Sequence, residues 1–273
     1  FVRHAPAERV ARLGALLRAG DFELTAFFGN LTTELCGHEE LLRALYPSWR
    51  LARRFGCPLA SAEHNDVPGM SWGLAQVLTE AGVRFFCPQL PRYWSWSDPP
   101  RQTFWEEATL FPQGLPGGFW WEAPSGRRVL LWDNHGVGGD VRPALPELAE
   151  RLEALVARGY PYRAVYWPVR GGARDNSPYI ADFCDTVRAW NAEHEWPRLE
   201  ISTNARFYAA LAPQLPANLP VWRGELPGQD YPVGAASTAG PTAVNRRNHV
   251  SLPVAEALAT LSATVTDHQY PAA

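Results

Sequence analysis

Two aspartates stand where a catalytic carboxylate pair could form. Asp66 follows the apolar run PLASAEHN and precedes Val-Pro-Gly, which predicts a tight turn that directs the side chain into a cleft. Asp175 comes shortly after a Gly-Gly pair and precedes Asn-Ser-Pro. Hydrolysis of a glycosidic bond uses two carboxyl groups, one ionised and one protonated, across the bond that breaks. The pair therefore suits glycoside hydrolysis; a helix cap at Asp66 and an Asx turn at Asp175 are the structural alternatives.

His64 and Asp66 form a His-x-Asp pair. At strand spacing both side chains face the same way, as two ligands of one metal ion could. A metal site needs three or four ligands, so the pair alone does not establish one, and a hydrogen-bonded histidine without a metal is the alternative. Other apolar runs also end in polar residues, which together suit a polyol such as a sugar. Besides His64, the predicted substrate contacts are Trp94, Trp96, Asn134, His135, Asn176, Arg223 and Glu225.

Composition sets the class of protein. Of 273 residues, 46% are hydrophobic and 19% are charged, which is typical of a globular chain. A net charge of −3 gives no reason to expect a nucleic acid or an anionic membrane as partner. No apolar run is long enough for a membrane-spanning helix. Cys36, Cys57, Cys87 and Cys184 lie in or beside apolar runs, which predicts four buried free thiols and favours a cytoplasmic location.

The elements that must position these residues alternate along the chain. Alternating strands and helices predict βα units and a parallel sheet, and they leave a barrel and a doubly wound sheet both open. An aromatic loop over 89–113, which carries the two tryptophans, interrupts the pattern. The predicted strands are 22–29, 58–66, 83–88, 127–136, 163–172, 198–204 and 219–226, and the predicted helices are 6–19, 34–55, 71–81, 145–158, 179–194, 205–211 and 241–265.

Four segments, in this order, carry a resemblance to a known family. They are AGDFELTAFFGNLTTELCGHEELLRAL, FGCPLASAEHNDVPGMSWGLAQVLTEAGVRFF, GGARDNSPY with VRAWNAEHEWPRLEISTNARFYAAL, and VWRGELPGQDYPVGAASTAGPTAVNRRNH. Together they resemble the catalytic domain of glycoside hydrolase family 38, the α-mannosidases, and related bacterial proteins. The resemblance implies a retaining mechanism in which Asp66 is the nucleophile and a zinc ligand, and Asp175 is the acid/base residue.

The resemblance also implies an architecture. The family fold is a seven-stranded α/β barrel followed by a helical bundle. We therefore expect an α/β barrel domain over 1–240, lacking its first strand, and the first helix of a helical domain over 241–273. Most ligands of the single zinc ion would lie outside this segment, so the segment alone is expected to be inactive.

Two other functions remain open from the residues. One is a non-catalytic carbohydrate-binding protein that uses the aromatic cleft. The other is a zinc-dependent hydrolase of the polysaccharide deacetylase type, which would need a His-rich metal set; the chain lacks an HxxxH pair. The turn after Asp66 also lacks the Phe-Gly-His form of the best-known family members, so the sugar itself is left open.

Overall fold

The structure is a computed structural model of the chain. It describes the residues 2–65, 67, 69–88, 90, 115, 117–133, 142–167, 180–226 and 234–266, with the backbone alone for 142–144.

Five strands and eight helices form the described part of the chain. The strands are β1 (Ser61–His64), β2 (Phe85–Pro88), β3 (Gly118–Glu122), β4 (Arg128–Trp132) and β5 (Val221–Arg223). The helices are α1 (Ala7–Ala19), α2 (His38–Arg43), α3 (Tyr46–Phe55), α4 (Trp72–Glu80), α5 (Leu148–Ala157), α6 (Phe183–Glu193), α7 (Asn204–Leu211) and α8 (Ala239–Val265). Short 3₁₀ turns lie at Thr33–Leu35, Arg142–Glu147, Ala212–Gln214 and Ala235–Thr238.

The five strands form one mixed sheet in the order β1-β2-β4-β3-β5. The strands β1, β2 and β4 are parallel, as the alternating pattern predicts. The strand β3, which was not predicted, forms an antiparallel hairpin with β4 and pairs in parallel with β5. Pro124, Ser125 and Gly126 lie in the hairpin turn, and Gly126 has a φ of 82°, a value that glycine adopts without strain. This sheet confirms a mixed α/β fold.

Three predicted strands are not strands within the described residues. The segment 22–29 is irregular and forms no strand ladder with β1 within the described residues, although the Ala26 N–H donates to the Ser61 carbonyl at 2.8 Å. In 198–204 the Asn191 side chain takes both backbone groups of Leu199, which leaves them unavailable to a neighbouring strand. The residues 163–167 are also irregular, and the rest of that predicted strand lies outside the described residues.

The predicted long helix over 34–55 is two helices. The break falls at Ala44 and Leu45, between α2 and α3. Pro47 lies in the first turn of α3, where its missing N–H costs no intrahelical bond. By contrast, the predicted helix over 241–265 is confirmed, since α8 covers it fully.

The strands β1 to β4 are largely buried on both faces, whereas β5 is mostly exposed. Successive strand residues point to opposite sides, so Phe86 packs toward α2 and α4 while its neighbour Phe85 packs toward α7. Leu74 and Phe207 are buried residues from these two helical layers. Both faces of the sheet therefore carry apolar side chains, as helices on both sides require.

The cysteines are all free thiols, as predicted. Cys87 is buried in β2 and Cys36 and Cys57 are half-buried, but Cys184 is exposed on α6, which corrects the prediction of four buried thiols. The helix α6 buries only Val187 among its residues, so most of its surface, Cys184 included, is not buried. Among the described residues no helix has the length and apolar character needed to cross a bilayer.

Candidate functional site

The carboxyl ends of β1, β2 and β4 meet at one edge of the sheet, because these strands are parallel. Asn65 and Asp133 directly follow β1 and β4, and Leu90 lies two residues beyond β2. We call these three residues the carboxyl edge. Asp133 is 3% exposed, and its Oδ1 accepts the Leu90 N–H at 2.9 Å. This bond ties the start of the predicted aromatic loop to the end of β4.

The loop after β1 is anchored on both sides of position 66. The Asn30 side chain donates to the Asn65 carbonyl at 2.6 Å and accepts the Asn65 N–H at 3.0 Å. Farther along, Met70 and Leu226 exchange two backbone hydrogen bonds, at 2.7 and 2.9 Å. Residues on both sides of Asp66 are therefore held in place, and the second anchor joins the segments that follow the two outer strands of the sheet.

His64 ends β1 and is fully buried. Its ring stacks on Phe27 with centroids 4.4 Å apart and meets the edge of Phe86 at 5.7 Å. Neither ring nitrogen has a hydrogen-bond partner among the described residues. Burial lowers the pKa of His64 to about 4, so the ring is neutral at pH 7. The His64 side chain thus packs as a core aromatic residue does. Its contact with substrate remains a prediction.

Replacing His64 with Leu tests that contact. We expect the free energy of unfolding to rise by about 1 kcal/mol, because the change removes two buried nitrogens without partners among the described residues, at little change in volume. Urea unfolding at pH 7 measures this. An unchanged stability together with lost sugar binding would instead assign the ring to substrate.

Arg223 lies at the opposite end of the sheet from Asp133. The register pairs Glu122 with both Arg128 and Arg223. Because β4 runs from Arg128 toward Asp133, the two ends are about 16 Å apart along the strand. Glu122 is buried, with Oε2 accepting from Arg128 at 2.8 Å and Oε1 accepting from Arg223. Glu225 is exposed. The structure therefore does not bring Arg223 to the carboxyl edge, and the predicted substrate contact of Glu225 remains a prediction.

Glu122 should contribute stability that depends on pH. The hydrogen bond from Arg223, followed by that from Arg128, holds the pKa of Glu122 below its ordinary value of 4.5. Stability from the ionised form is thus present above that value and is lost as pH falls through the lower, folded-state pKa. We expect Glu122→Gln to lower Tm at pH 7, and the difference from the wild type to shrink toward pH 3.

The matched control for this change is Glu80→Gln. Glu80 pairs with Arg127 at 3.1 Å in an exposed ion pair, which contributes little to stability. A Tm difference for Glu122→Gln that stays constant from pH 7 to pH 3, or that equals the control, would contradict the prediction.

A polar cluster lies on the face of the sheet opposite to the His64 side chain. Tyr166 donates to Oδ1 of Asn204 at 2.8 Å, and Asn204 donates to Oε2 of Glu63 at 3.2 Å. Burial is the main cause that raises the pKa of Cys87 and of Tyr166, so both stay protonated at neutral pH. This cluster joins β1 and β2 to α7, and no pattern in the sequence pointed to it.

Comparison with known proteins decides the family. The residues 1–225 match the model of the glycosyl hydrolases family 38 N-terminal domain. The chain belongs to glycoside hydrolase family 38. No curated protein sequence matches this family-38 chain.

Two solved structures share the fold of this family-38 chain. One is an alpha-mannosidase from Enterococcus faecalis V583, with a TM-score of 0.58 and 16% identity over 80% of this chain and 24% of that one. The other is a protein in the glycosyl hydrolase family 38 from Enterococcus faecalis, with a TM-score of 0.51 and 13% identity over 82% of this chain and 22% of that one. The chain thus spans about a quarter of the length of these proteins.

Most predicted site residues of this family-38 chain lie outside the described residues. Within the described ranges, no three or more His, Cys, Asp or Glu side chains are grouped so that they could hold a metal ion. The roles of the predicted site residues outside the described ranges remain predictions. The residues concerned are Asp66, Trp94, Trp96, Asn134, His135, Asp175 and Asn176.

Proposed function

We propose that this family-38 chain carries the two catalytic carboxylates of a retaining, α-mannosidase-like glycoside hydrolase. Asp66 is the nucleophile and Asp175 is the acid/base residue. The observation that carries the proposal is the family match over 1–225, which includes both aspartates. The carboxyl edge supports it, since catalytic groups of parallel α/β folds come from the ends of several strands, and Asp66 directly follows Asn65 there.

The proposed reaction has two steps, in which Asp175 acts first as the acid and then as the base while Asp66 carries the sugar. In the first, Asp66 attacks the anomeric carbon, the glycosidic C–O bond breaks, and Asp175 gives its proton to the leaving oxygen. This leaves a covalent glycosyl-aspartate. In the second, Asp175 takes a proton from water, the water oxygen bonds to the anomeric carbon, and the ester bond to Asp66 breaks. Two inversions at one carbon retain its configuration.

The proposal includes further side chains that contact the substrate. Trp94 and Trp96 belong to the aromatic loop, whose start is tied to Asp133 through Leu90. Their flat rings suit a sugar face. We propose that side chains after β4 and beside Asp175 bind sugar hydroxyls; these are Asn134, His135 and Asn176.

Zinc is also part of the proposal, with Asp66 as one of its ligands. The described residues do not form a zinc site by themselves. We therefore derive no catalytic step through the ion, and the roles above rest on the carboxylates alone.

The domain organisation is proposed with the same boundaries: a barrel over 1–240 and a helical unit from 241. The bridge between Met70 and Leu226, which links the segments beyond β1 and β5, supports a sheet that curls toward closure. The helix α8 supports the second unit, since it has no buried residue and exposes a row of apolar side chains. These are Val244, Val250, Leu252, Val254, Leu258, Leu261 and Val265.

Trapping the glycosyl-enzyme tests the proposed function. The full-length protein, supplied with zinc, is incubated with 2-deoxy-2-fluoro and 5-fluoro glycosyl fluorides of several sugars, mannose among them. The fluorine slows the second step more than the first, so an adduct accumulates. We expect peptide mass mapping to find one sugar on the peptide that contains Asp66, and none on the Asp66→Asn variant. An active enzyme without an adduct, or an adduct elsewhere, would overturn the assignment.

A further inference from the structure

We propose that Asn30 and Thr33 are positioning residues that hold the Asp66 loop from both sides. This inference rests on the proposed role of Asp66 as nucleophile. Both are proposed to act through the backbone of the loop. Their work is to fix the backbone at positions 65, 69 and 71, so that the carboxylate between them keeps one direction.

Asn30 fixes the residue directly before Asp66. Its amide NH₂ donates to the Asn65 carbonyl at 2.6 Å, and its Oδ1 accepts the Asn65 N–H at 3.0 Å. An asparagine side chain thus does what a residue on a neighbouring strand would do, at the point where β1 has ended. Aspartate lacks the donor and alanine lacks both groups, so neither can replace the Asn30 amide. Asn30 is exposed, which means that its loss leaves no cavity in the core.

Thr33 fixes the segment that follows Asp66. Its hydroxyl accepts the Ser71 N–H at 3.0 Å and donates to the Gly69 carbonyl at 3.3 Å. Thr33 is fully buried and begins a 3₁₀ turn, so its position is well determined. Gly69 has a φ of 102°, a backbone conformation that other residues rarely adopt. The hydroxyl therefore stabilises an unusual turn in addition to holding the start of α4.

The two anchors lie three residues apart in one segment and enclose positions 66–68. Asp66 follows Asn65 directly, so its Cα lies about 3.8 Å from a fixed residue. A catalytic carboxylate that is misplaced by about 1 Å can lose roughly 100-fold in rate. In the sequence, Asn30 and Thr33 follow the apolar segment 22–29. Their hydrogen bonds show that the loop backbone is what they contact.

The chain offers a matched control for Asn30. Asn191 makes the same pair of bonds to the backbone of Leu199, at 2.8 and 2.9 Å, in the segment between α6 and α7. Asn191→Ala therefore removes an equivalent anchor elsewhere. For Thr33, valine keeps the shape and removes the hydroxyl, whereas serine keeps the hydroxyl.

The test uses Asn30→Ala, Thr33→Val, Thr33→Ser and Asn191→Ala in the full-length protein. Hydrogen exchange is followed by mass spectrometry on peptides that cover 65–71. We expect exchange there to accelerate about tenfold in Asn30→Ala and Thr33→Val, and to stay as in the wild type in the other two. With a glycoside that the wild type hydrolyses, kcat should fall roughly 10- to 100-fold in the first two, with KM nearly unchanged.

The outcomes separate this inference from the proposed function. If exchange at 65–71 is faster in Asn30→Ala and Thr33→Val but the wild type has no glycosidase activity, the anchoring role is supported and the proposed function is contradicted. A wild type that is labelled on Asp66, with exchange and kcat of Asn30→Ala and Thr33→Val equal to those of Asn191→Ala, would overturn the anchors alone. A loss of kcat in Thr33→Ser as large as that in Thr33→Val would show that the shape of the side chain, and not its hydroxyl, sets kcat, and would overturn the role of the Thr33 hydrogen bonds.

Discussion

Replacing Asp66 with Asn is expected to lower kcat by roughly 10,000-fold or more, because an amide cannot form the glycosyl ester that the retaining mechanism needs. The side chain keeps its size, and the backbone bonds on Asn65 do not involve it. We therefore expect Tm to stay close to that of the wild type. Initial rates on an aryl glycoside of the sugar found by trapping measure the effect.

Asp66→Ala with added azide identifies the lost group as the nucleophile. The smaller side chain leaves room for azide, which bonds to the anomeric carbon while the glycosidic C–O bond breaks and Asp175 protonates the leaving oxygen. One displacement in place of two gives a glycosyl azide of inverted configuration. A variant that retains more than a tenth of the wild-type kcat, or an azide product of retained configuration, would remove Asp66 from this role.

Replacing Asp175 with Ala is expected to lower kcat/KM by roughly 100- to 10,000-fold for substrates with a poor leaving group. Such a leaving oxygen needs a proton as its bond breaks. A dinitrophenyl glycoside releases a stable anion without one, so its first step should be affected far less. The alkaline limb of the pH–rate profile, which reports the acid, should disappear in the variant.

Azide distinguishes Asp175 from Asp66. It needs no general base, so it should accelerate the second step of Asp175→Ala. The N–C bond forms as the ester to Asp66 breaks, which yields a glycosyl azide of retained configuration. An equal loss of rate on good and poor leaving groups would contradict the acid/base assignment and leave Asp175 with a structural role, such as the Asx turn.

Local patterns in the sequence determined much of the fold. The apolar run before Asp66 and the Pro-Gly after it predicted β1, a turn and α4 in this order, since each depends on residues close together in the chain. The parallel pairing of β1, β2 and β4 followed from alternating strands and helices. The family segments placed the chain in family 38, which the match over 1–225 confirms.

Tertiary contacts decided what these patterns left open. The stacking of His64 on Phe27, which lies 37 residues earlier, could not be predicted from the sequence. That packing removes the ring from solvent. Arg223 was placed with the substrate contacts, yet its partner is Glu122, more than 100 residues away and at the other end of the sheet. The segment 22–29 has the composition of a strand but is irregular where it lies beside β1. In each case the deciding partner is distant in sequence, and a local pattern carries no information about which distant groups will compete for a hydrogen bond or a face of the sheet.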